Sequence, residues 1–273
     1  MTTQVMLEGL SFGEGPRWHD GALWFSDFYR HGVFRLDEDG NEDLVVEVPT
    51  QPSGLGWLPD GDLLLVSMID RKLLRRSADG TLAEHADLSD VAEGHCNDMV
   101  VAADGTAYVG NFGPNRAPAT LAIVSADGQV RAGPDDLHFP NGTVITPDGA
   151  TLIIAESMAG RLTAFDVGAD GTLTGRRVWA DLGSGIPDGI CLDEAGAVWV
   201  ADPRNAACFR VVEGGEVTDR IDLELNCFAC MLGGRDRRTL YLVTAPTSGE
   251  EAAATRNGRI ETIRVQIGGA GLP

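Results

Sequence analysis

The chain has 273 residues, 43% of them hydrophobic, which is enough to bury the core of one large domain. The formal net charge of -20 would repel a polyanion over most of the surface, so nucleic acid is not expected as a partner. No apolar run reaches the roughly 18 residues that span a bilayer, and the first residues lack the features of a signal peptide. We therefore predict one domain over residues 1–273, located in the cytoplasm, without membrane contact, as a monomer or weak homo-oligomer.

A strand–turn–strand unit recurs along the chain, and it is complete in residues 187–202. Its turn is marked by an Asp-Gly pair or a close variant. The equivalent turn positions are Gly21, Gly61, Gly105, Gly149, Gly196 and, in a degenerate sixth unit, Arg238. The successive spacings are 40, 44, 44, 47 and 42 residues, a period typical of β-propellers.

Each unit continues into further strand-like segments, and no segment has a convincing helical periodicity. We predict an all-β fold, a six-bladed β-propeller with four antiparallel strands per blade. Pairing of an N-terminal strand at residues 4–7 with a C-terminal strand at residues 259–265 would close the ring of blades. The polar, Ala-rich segment 249–257 between the last blade and the C-terminal strand is predicted to be a loop.

A polar residue follows the turn of every unit, near the far end of the second strand. These residues are Asp27, Ser67, Asn111, Glu156, Asp202 and Thr244. Short polar side chains at such positions commonly bind backbone N–H groups of the adjoining turn. We therefore interpret this set as structural.

The first strand of each unit should begin at the central channel, because the innermost strands of a propeller line it. Eight residues before each turn position, or seven in the first unit, stand Glu14, Ser53, Asn97, Asn141, Asp188 and Cys230. Two carboxylates and two amides facing one another offer the oxygen ligands that Ca²⁺, Mg²⁺ and Mn²⁺ prefer. Zn²⁺ remains an alternative, with Cys230 as a softer ligand. A second interpretation is that these residues only start strands and cap turns.

Four short motifs contain ring residues: Gly-Glu-Gly-Pro-Arg-Trp at 13–18, Cys-Asn-Asp-Met at 96–99, Pro-Asn-Gly at 140–142 and Pro-Asp-Gly-Ile-Cys-Leu-Asp at 187–193. In this order and spacing the chain resembles the SMP-30/gluconolactonase/luciferin-regenerating-enzyme (LRE) family of six-bladed propellers over essentially its whole length. By this resemblance Glu14, Asn141 and Asp188 match the metal ligands, and Asn97 matches an asparagine that contacts substrate or metal. Asp188 also matches the proposed catalytic acid/base.

The resemblance implies a hydrolase that opens a small lactone with the help of one divalent cation, calcium first, with manganese, magnesium and zinc as alternatives. The cation would polarise the lactone carbonyl and acidify water, while a carboxylate beside it takes the proton. Family members that hydrolyse sugar lactones carry an arginine where this chain has His95, and histidine cannot supply the same bidentate fork. We therefore expect a more apolar substrate site, formed by Asn97, His95, Phe112, Ser53 and Cys230.

Two other functions stay open at the level of sequence. The same cation could serve a phosphotriesterase-like hydrolase acting on P–O or P–F bonds. Alternatively, the propeller could be a non-catalytic ligand-binding protein with a structural cation. Acidic residues at both Glu14 and Asp188 favour catalysis, and fold alone does not decide function.

Overall fold

The repeated unit folds as an antiparallel sheet of four strands. The computed structural model describes residues 2–271, except for the side chains of Pro114 and Glu250. Six such sheets are present, and their innermost strands contact one another in order around a central channel. This confirms the predicted six-bladed propeller.

The first three blades follow the chain from the inside outward. Strands are numbered from the N-terminus, and β1 (Gln4–Leu10) belongs to the last blade. Blade 1 is β2 (Gly13–His19), β3 (Ala22–Asp27), β4 (Gly32–Leu36) and β5 (Glu42–Glu47). Blade 2 is β6 (Pro52–Trp57), β7 (Leu63–Ser67), β8 (Lys72–Arg76) and β9 (Leu82–Asp87). Blade 3 is β10 (His95–Val101), β11 (Ala107–Phe112), β12 (Ala122–Val124) and β13 (Val130–Ala132).

The other three blades complete the ring. Blade 4 is β14 (Pro140–Ile145), β15 (Thr151–Glu156), β16 (Arg161–Val167) and β17 (Leu173–Asp181). Blade 5 is β18 (Ile190–Leu192), β19 (Val198–Asp202), β20 (Ala207–Val211) and β21 (Val217–Asp222). Blade 6 is β22 (Asn226–Gly233), β23 (Thr239–Ala245) and β24 (Gly258–Arg264), with β1 as its outermost strand. The pairing of β1 with β24 is the predicted closure.

The core lies between neighbouring blades, because strands near the channel bury apolar side chains on both faces. Leu64 and Val66 of β7 are fully buried against Val109 of β11 in the next blade. Comparable clusters join the other blades. Burial of a large apolar side chain contributes about 1.5–3 kcal/mol, so these inter-blade layers hold the ring together.

Glycines at the start of the first strands let adjacent blades approach closely. A Cβ on Gly142 would lie 2.5 Å from the backbone nitrogen of Ile190, and one on Gly189 would lie 2.7 Å from Cα of Ala229. Contacts this short are not tolerated by any larger residue without backbone movement. The residues that precede these glycines are therefore brought close together at the channel.

The polar residues that end the second strands support the turns as predicted in three blades. Asp27 accepts from the backbone N–H groups of Ser11 and Phe12 at 2.9 and 3.1 Å. Glu156 accepts from the N–H of His138 at 2.9 Å, and Asp202 accepts from that of Ile186 at 3.3 Å. These acids hold the loop that leads into the first strand of their own blade, and so fix where that strand begins.

The prediction of a loop over residues 249–257 is wrong in part, because α1 (Glu250–Thr255) lies within it. Its sequence, Glu-Glu-Ala-Ala-Ala-Thr, contains three alanines, which have the highest helix propensity. Ala252 is 1% exposed and packs into an apolar cluster with Phe12 and Phe228. Tertiary packing therefore stabilises a helix too short for periodicity to reveal. None of the helices among residues 2–271 is long and apolar enough to cross a membrane.

Candidate functional site

One residue from each blade reaches the same mouth of the channel, at the start of the first strand. In five blades the first strand changes register there, as between Pro140 and Thr143, which pair with Glu156 and Ile154. Such bulges redirect side chains and are common beside functional sites. The six residues, which we call the channel ring, are Glu14, Ser53, Asn97, Asn141, Asp188 and Phe228.

Five of the six ring residues are those predicted from the sequence, but the sixth is Phe228 and not Cys230. Thr244, at the end of β23, pairs with Cys227, and the ring position is the residue that follows this pair. The β22–β23 hairpin is two residues longer than those of most blades, so counting back a fixed distance from Arg238 stops two residues short of the ring position. The placement of Cys230 on the ring is therefore wrong.

Cys230 lies in the core between blades 5 and 6. It is 1% exposed, and its Sγ lies 3.8 Å from Sγ of Cys191 and within 3.6 Å of the carbonyl oxygen of Gly189. All five cysteines are buried free thiols. The position of Cys230 gives it no opening to a substrate at the channel mouth.

A chain of hydrogen bonds links the polar residues of the ring. Ser53 Oγ donates to Asn97 Oδ1 at 3.4 Å, and Asn97 Nδ2 donates to Asn141 Oδ1 at 3.0 Å. Asn141 Nδ2 in turn donates to Ser157 Oγ at 3.2 Å, and Ser157 donates to the carbonyl oxygen of Pro187 at 2.6 Å. These bonds fix the orientation of both amides. Ser157, which is not among the residues predicted from the sequence, joins these side chains to the backbone.

The two ring carboxylates are held in an environment that disfavours their charged forms. Burial, followed by the negative charges of Asp188 and Asp98, raises the pKa of Glu14 well above its ordinary value. Burial, followed by the charge of Asp98, likewise raises the pKa of Asp188. Oδ1 of Asp188 is buried and has no hydrogen-bond partner among the described residues. At Glu14 the positive charge of Arg17 offsets this effect only in part.

A buried ion pair lies next to the ring. Arg17 of β2 donates to Asp98 Oδ1 at 2.9 Å and to the carbonyl oxygen of Met99 at 2.5 Å. The side chains of Arg17 and Asp98 are 4% and 5% exposed. Neither residue is among the sites predicted from the sequence, because they are far apart in the chain. The charge of Arg17 also acts on Glu14, so two buried carboxylates share one guanidinium.

Substitution of Arg17 by Met is expected to lower the free energy of unfolding by about 3–5 kcal/mol, because it leaves Asp98 buried without its counter-charge. Arg17→Met combined with Asp98→Asn should cost less than Arg17→Met alone, since Asn keeps an acceptor for the N–H of Met99 and removes the unpaired charge. Urea unfolding of the two single variants and of the double variant measures these changes in the free energy of unfolding. If the double variant instead loses the sum of the two single losses, the pair is not coupled as described.

The ring fits a hard divalent cation. It offers two carboxylates with an excess of negative charge, one carboxylate oxygen without a partner, and oriented amide oxygens. Oxygen ligands of this kind suit calcium, magnesium or manganese. Within residues 2–271 no three His, Cys, Asp or Glu side chains form a metal-binding group, so amide oxygens would be needed to complete the coordination. Glu14, Asn141 and Asp188 are the residues that could hold the cation, with Asn97 beside them.

His95 and Phe112 lie beside the ring, in a cleft of about 790 Å³ at the same end of the propeller. They pair across β10 and β11, and their rings meet edge to face at 5.6 Å. Phe112 stacks on Phe139, which directly precedes the strand that carries Asn141; the ring centroids are 4.8 Å apart and the planes differ by 6°. The structure thus brings the predicted residues His95 and Phe112 together and places Phe139 against Phe112.

Comparison with known proteins agrees with this architecture and its motifs. A family model described as "SMP-30/Gluconolactonase/LRE-like region" matches residues 12–246. The chain belongs to this family. The predicted resemblance is therefore confirmed, and residues 12–246 include all of the channel ring.

This chain is similar to known proteins over most of their length. The pentonolactonase XacC of Haloferax volcanii is 26% identical over 283 residues, covering 99% of this chain and 96% of that protein. Regucalcin of Danio rerio is 25% identical over 260 residues, covering 88% and 85%. The solved structure of regucalcin from Agrobacterium tumefaciens, described as a calcium-binding protein, has a TM-score of 0.84 and 24% identity, covering 98% and 95%. This structural likeness shows the common fold.

Proposed function

We propose that this protein is a divalent-metal-dependent lactonase that opens a small lactone ring by hydrolysis. The observation that carries the proposal is the pair of ring carboxylates, Glu14 and Asp188 with its unpartnered Oδ1, beside the oriented amides of Asn97 and Asn141. The names of relatives support the reaction class, since one is a pentonolactonase and another a 6-deoxy-6-sulfogluconolactonase. The substrate is a small molecule, and a cytoplasmic location and a monomeric or weakly associating state remain predictions from composition.

The cation is proposed to be calcium, with manganese, magnesium or zinc as alternatives, held by Glu14, Asn141 and Asp188. When bound, it supplies Lewis acidity that polarises the lactone carbonyl and lowers the pKa of water. One similar solved structure, regucalcin from Agrobacterium tumefaciens, is described as a calcium-binding protein, which agrees with a hard cation. Carboxylate and amide oxygens match that preference better than they match zinc, which favours nitrogen and sulfur ligands.

Asp188 is proposed as the group that moves the proton. Its unpartnered Oδ1 accepts a proton from the attacking water, whose oxygen bonds to the lactone carbonyl carbon. The ring C–O bond then breaks, and the proton is delivered to the departing alkoxide. The product is one hydroxy acid, which carries both the new carboxyl group and the new hydroxyl group. Water is the only other reactant.

The other ring residues position the substrate. Asn97 and Asn141 are held by Ser53 and Ser157, so their amides need no reorganisation during the reaction. Preorganised dipoles of this kind stabilise charge that develops on the carbonyl oxygen more effectively than mobile water does. His95, exposed at the cleft, is proposed as a substrate-binding residue together with Phe112.

Hydrolysis of a panel of lactones, followed by acid release in a pH-stat, tests this proposal. Protein treated with a chelator should be inactive, and one of Ca²⁺, Mn²⁺, Mg²⁺ or Zn²⁺ should restore turnover. An aryl phosphotriester in the same panel tests the alternative reaction class. Cation binding without turnover of any lactone or ester would reject the lactonase and favour a ligand-binding propeller.

A further inference from the structure

We infer that the cleft beside the ring binds the apolar substituent of an aryl- or alkyl-substituted lactone, and that it discriminates against polyhydroxylated sugar lactones. This inference rests on the proposed lactonase function and names the substrate class for that site. It depends on three observations: the partly exposed aromatic wall of the cleft, the apolar cluster that links this wall to Phe228 of the ring, and the bonding of the polar ring side chains to one another.

The wall of the cleft is formed by Phe112 and Phe139, with Ile69 and His95 beside them. Phe112 and Phe139 are both partly exposed, so one surface of their stack remains open to a ligand. Phe139 has a φ of 60°, a left-handed conformation that is unfavourable for a bulky residue. The backbone there is held by its neighbours, since the carbonyl oxygen of Phe139 accepts from the N–H of Ser157.

Buried apolar side chains link this wall to the ring. Phe228 occupies the sixth ring position, and Phe12 packs against it edge to face at 4.7 Å. Met68 and Phe112 belong to the same cluster, which α1 covers through Ala252. Phe112 of the wall and Phe228 of the ring therefore belong to one apolar cluster.

Polar groups near the ring are already engaged with one another. The side chains of Ser53, Asn97 and Asn141 form one hydrogen-bonded series. Of the charged residues that line the cleft, Glu93 and Arg116 are exposed, and Arg71 is half-buried and donates to the carbonyl oxygen of Ala92 at 3.1 Å. Each hydroxyl of a sugar lactone that faces the aromatic wall would lose its bonds to water without replacement. An apolar substituent has no hydrogen bonds to lose there, and its apolar surface is removed from water.

The test compares a phenyl-substituted δ-valerolactone with glucono-δ-lactone, using the metal-loaded protein. We expect kcat/KM to be at least about tenfold higher for the phenyl compound, the size of discrimination that one apolar contact supplies. Phe139→Asn should reduce this preference about tenfold, mainly by raising KM for the phenyl compound. Asparagine accepts the left-handed backbone, so the variant should fold. Val178→Asn, which changes an exposed residue of β17 outside the cleft, is the matched control and should leave the preference unchanged.

The outcomes separate this inference from the function on which it rests. Preference for glucono-δ-lactone, or a preference that Phe139→Asn and Phe112→Ala leave unchanged, would overturn the apolar cleft while the lactonase stands. If neither lactone is hydrolysed, the lactonase proposal fails. Calorimetric binding of a phenyl-substituted δ-valerolactam, which resists hydrolysis, then still tests the cleft: binding weakened about tenfold by Phe139→Asn supports it, and equal binding to both proteins overturns it.

Discussion

Asp188→Asn is expected to lower kcat for lactone hydrolysis by about 10²–10⁴-fold, the usual contribution of a general acid or base. The amide has nearly the same shape as the carboxylate but cannot accept the proton of the attacking water. The variant should still fold, because the change removes a negative charge that lies close to the charge of Asp98. The rate of acid release from a lactone at saturating concentration, together with the thermal midpoint, measures both expectations.

Cys230→Ser provides the control for this prediction. Its thiol lies in the core against Cys191, away from the channel mouth, so most of the activity should remain even if stability falls. A loss of activity as large as that of Asp188→Asn, at a temperature where both variants are folded, would contradict the assignment of proton transfer to Asp188.

Glu14→Gln is expected to weaken calcium binding by at least about 100-fold, because affinity for a hard cation depends strongly on the number of charged oxygen ligands. The substitution keeps the size of the side chain and removes one of the two carboxylates of the ring. Isothermal titration of calcium into the metal-free protein measures the change in Kd directly.

Glu47→Gln tests whether a loss of affinity reflects general electrostatics. Glu47 is an exposed acid in β5, the outermost strand of blade 1, whereas the ring lies at the innermost strand. Its replacement by Gln changes the net charge by the same amount as Glu14→Gln. Its Kd for calcium should be nearly that of the unmodified protein. Equal Kd values for Glu14→Gln and the unmodified protein would show that Glu14 is not a ligand.

The fold could be predicted because its determinants are local. Each Asp-Gly turn and its flanking apolar alternation specify a hairpin, and repetition of the hairpin specifies the number of blades. The polar ends of strands, such as Asp27 and Asp202, are also local features, since each binds the loop of its own blade. Closure by β1 and β24 follows from the need to pair the free edges of the ring.

The parts of the site that the sequence does not reveal depend on contacts between blades or on local insertions. Arg17 and Asp98 are 81 positions apart and meet only when blades 1 and 3 are assembled. The longer hairpin of blade 6 moves the ring position from Cys230 to Phe228. A fixed count back from Thr244, at the end of the second strand, also reaches residue 230, so only the observed pairing of Thr244 with Cys227 locates the ring position.

The central claim is that the channel ring hydrolyses lactones only with one divalent cation in place. The most direct measurement is the rate of lactone hydrolysis while calcium is returned stepwise to metal-stripped protein. We predict negligible activity at the start, a rise that saturates at about one equivalent, and no such rise in Glu14→Gln at the same calcium concentrations. Full activity in the stripped protein, maintained in excess chelator, would contradict the account.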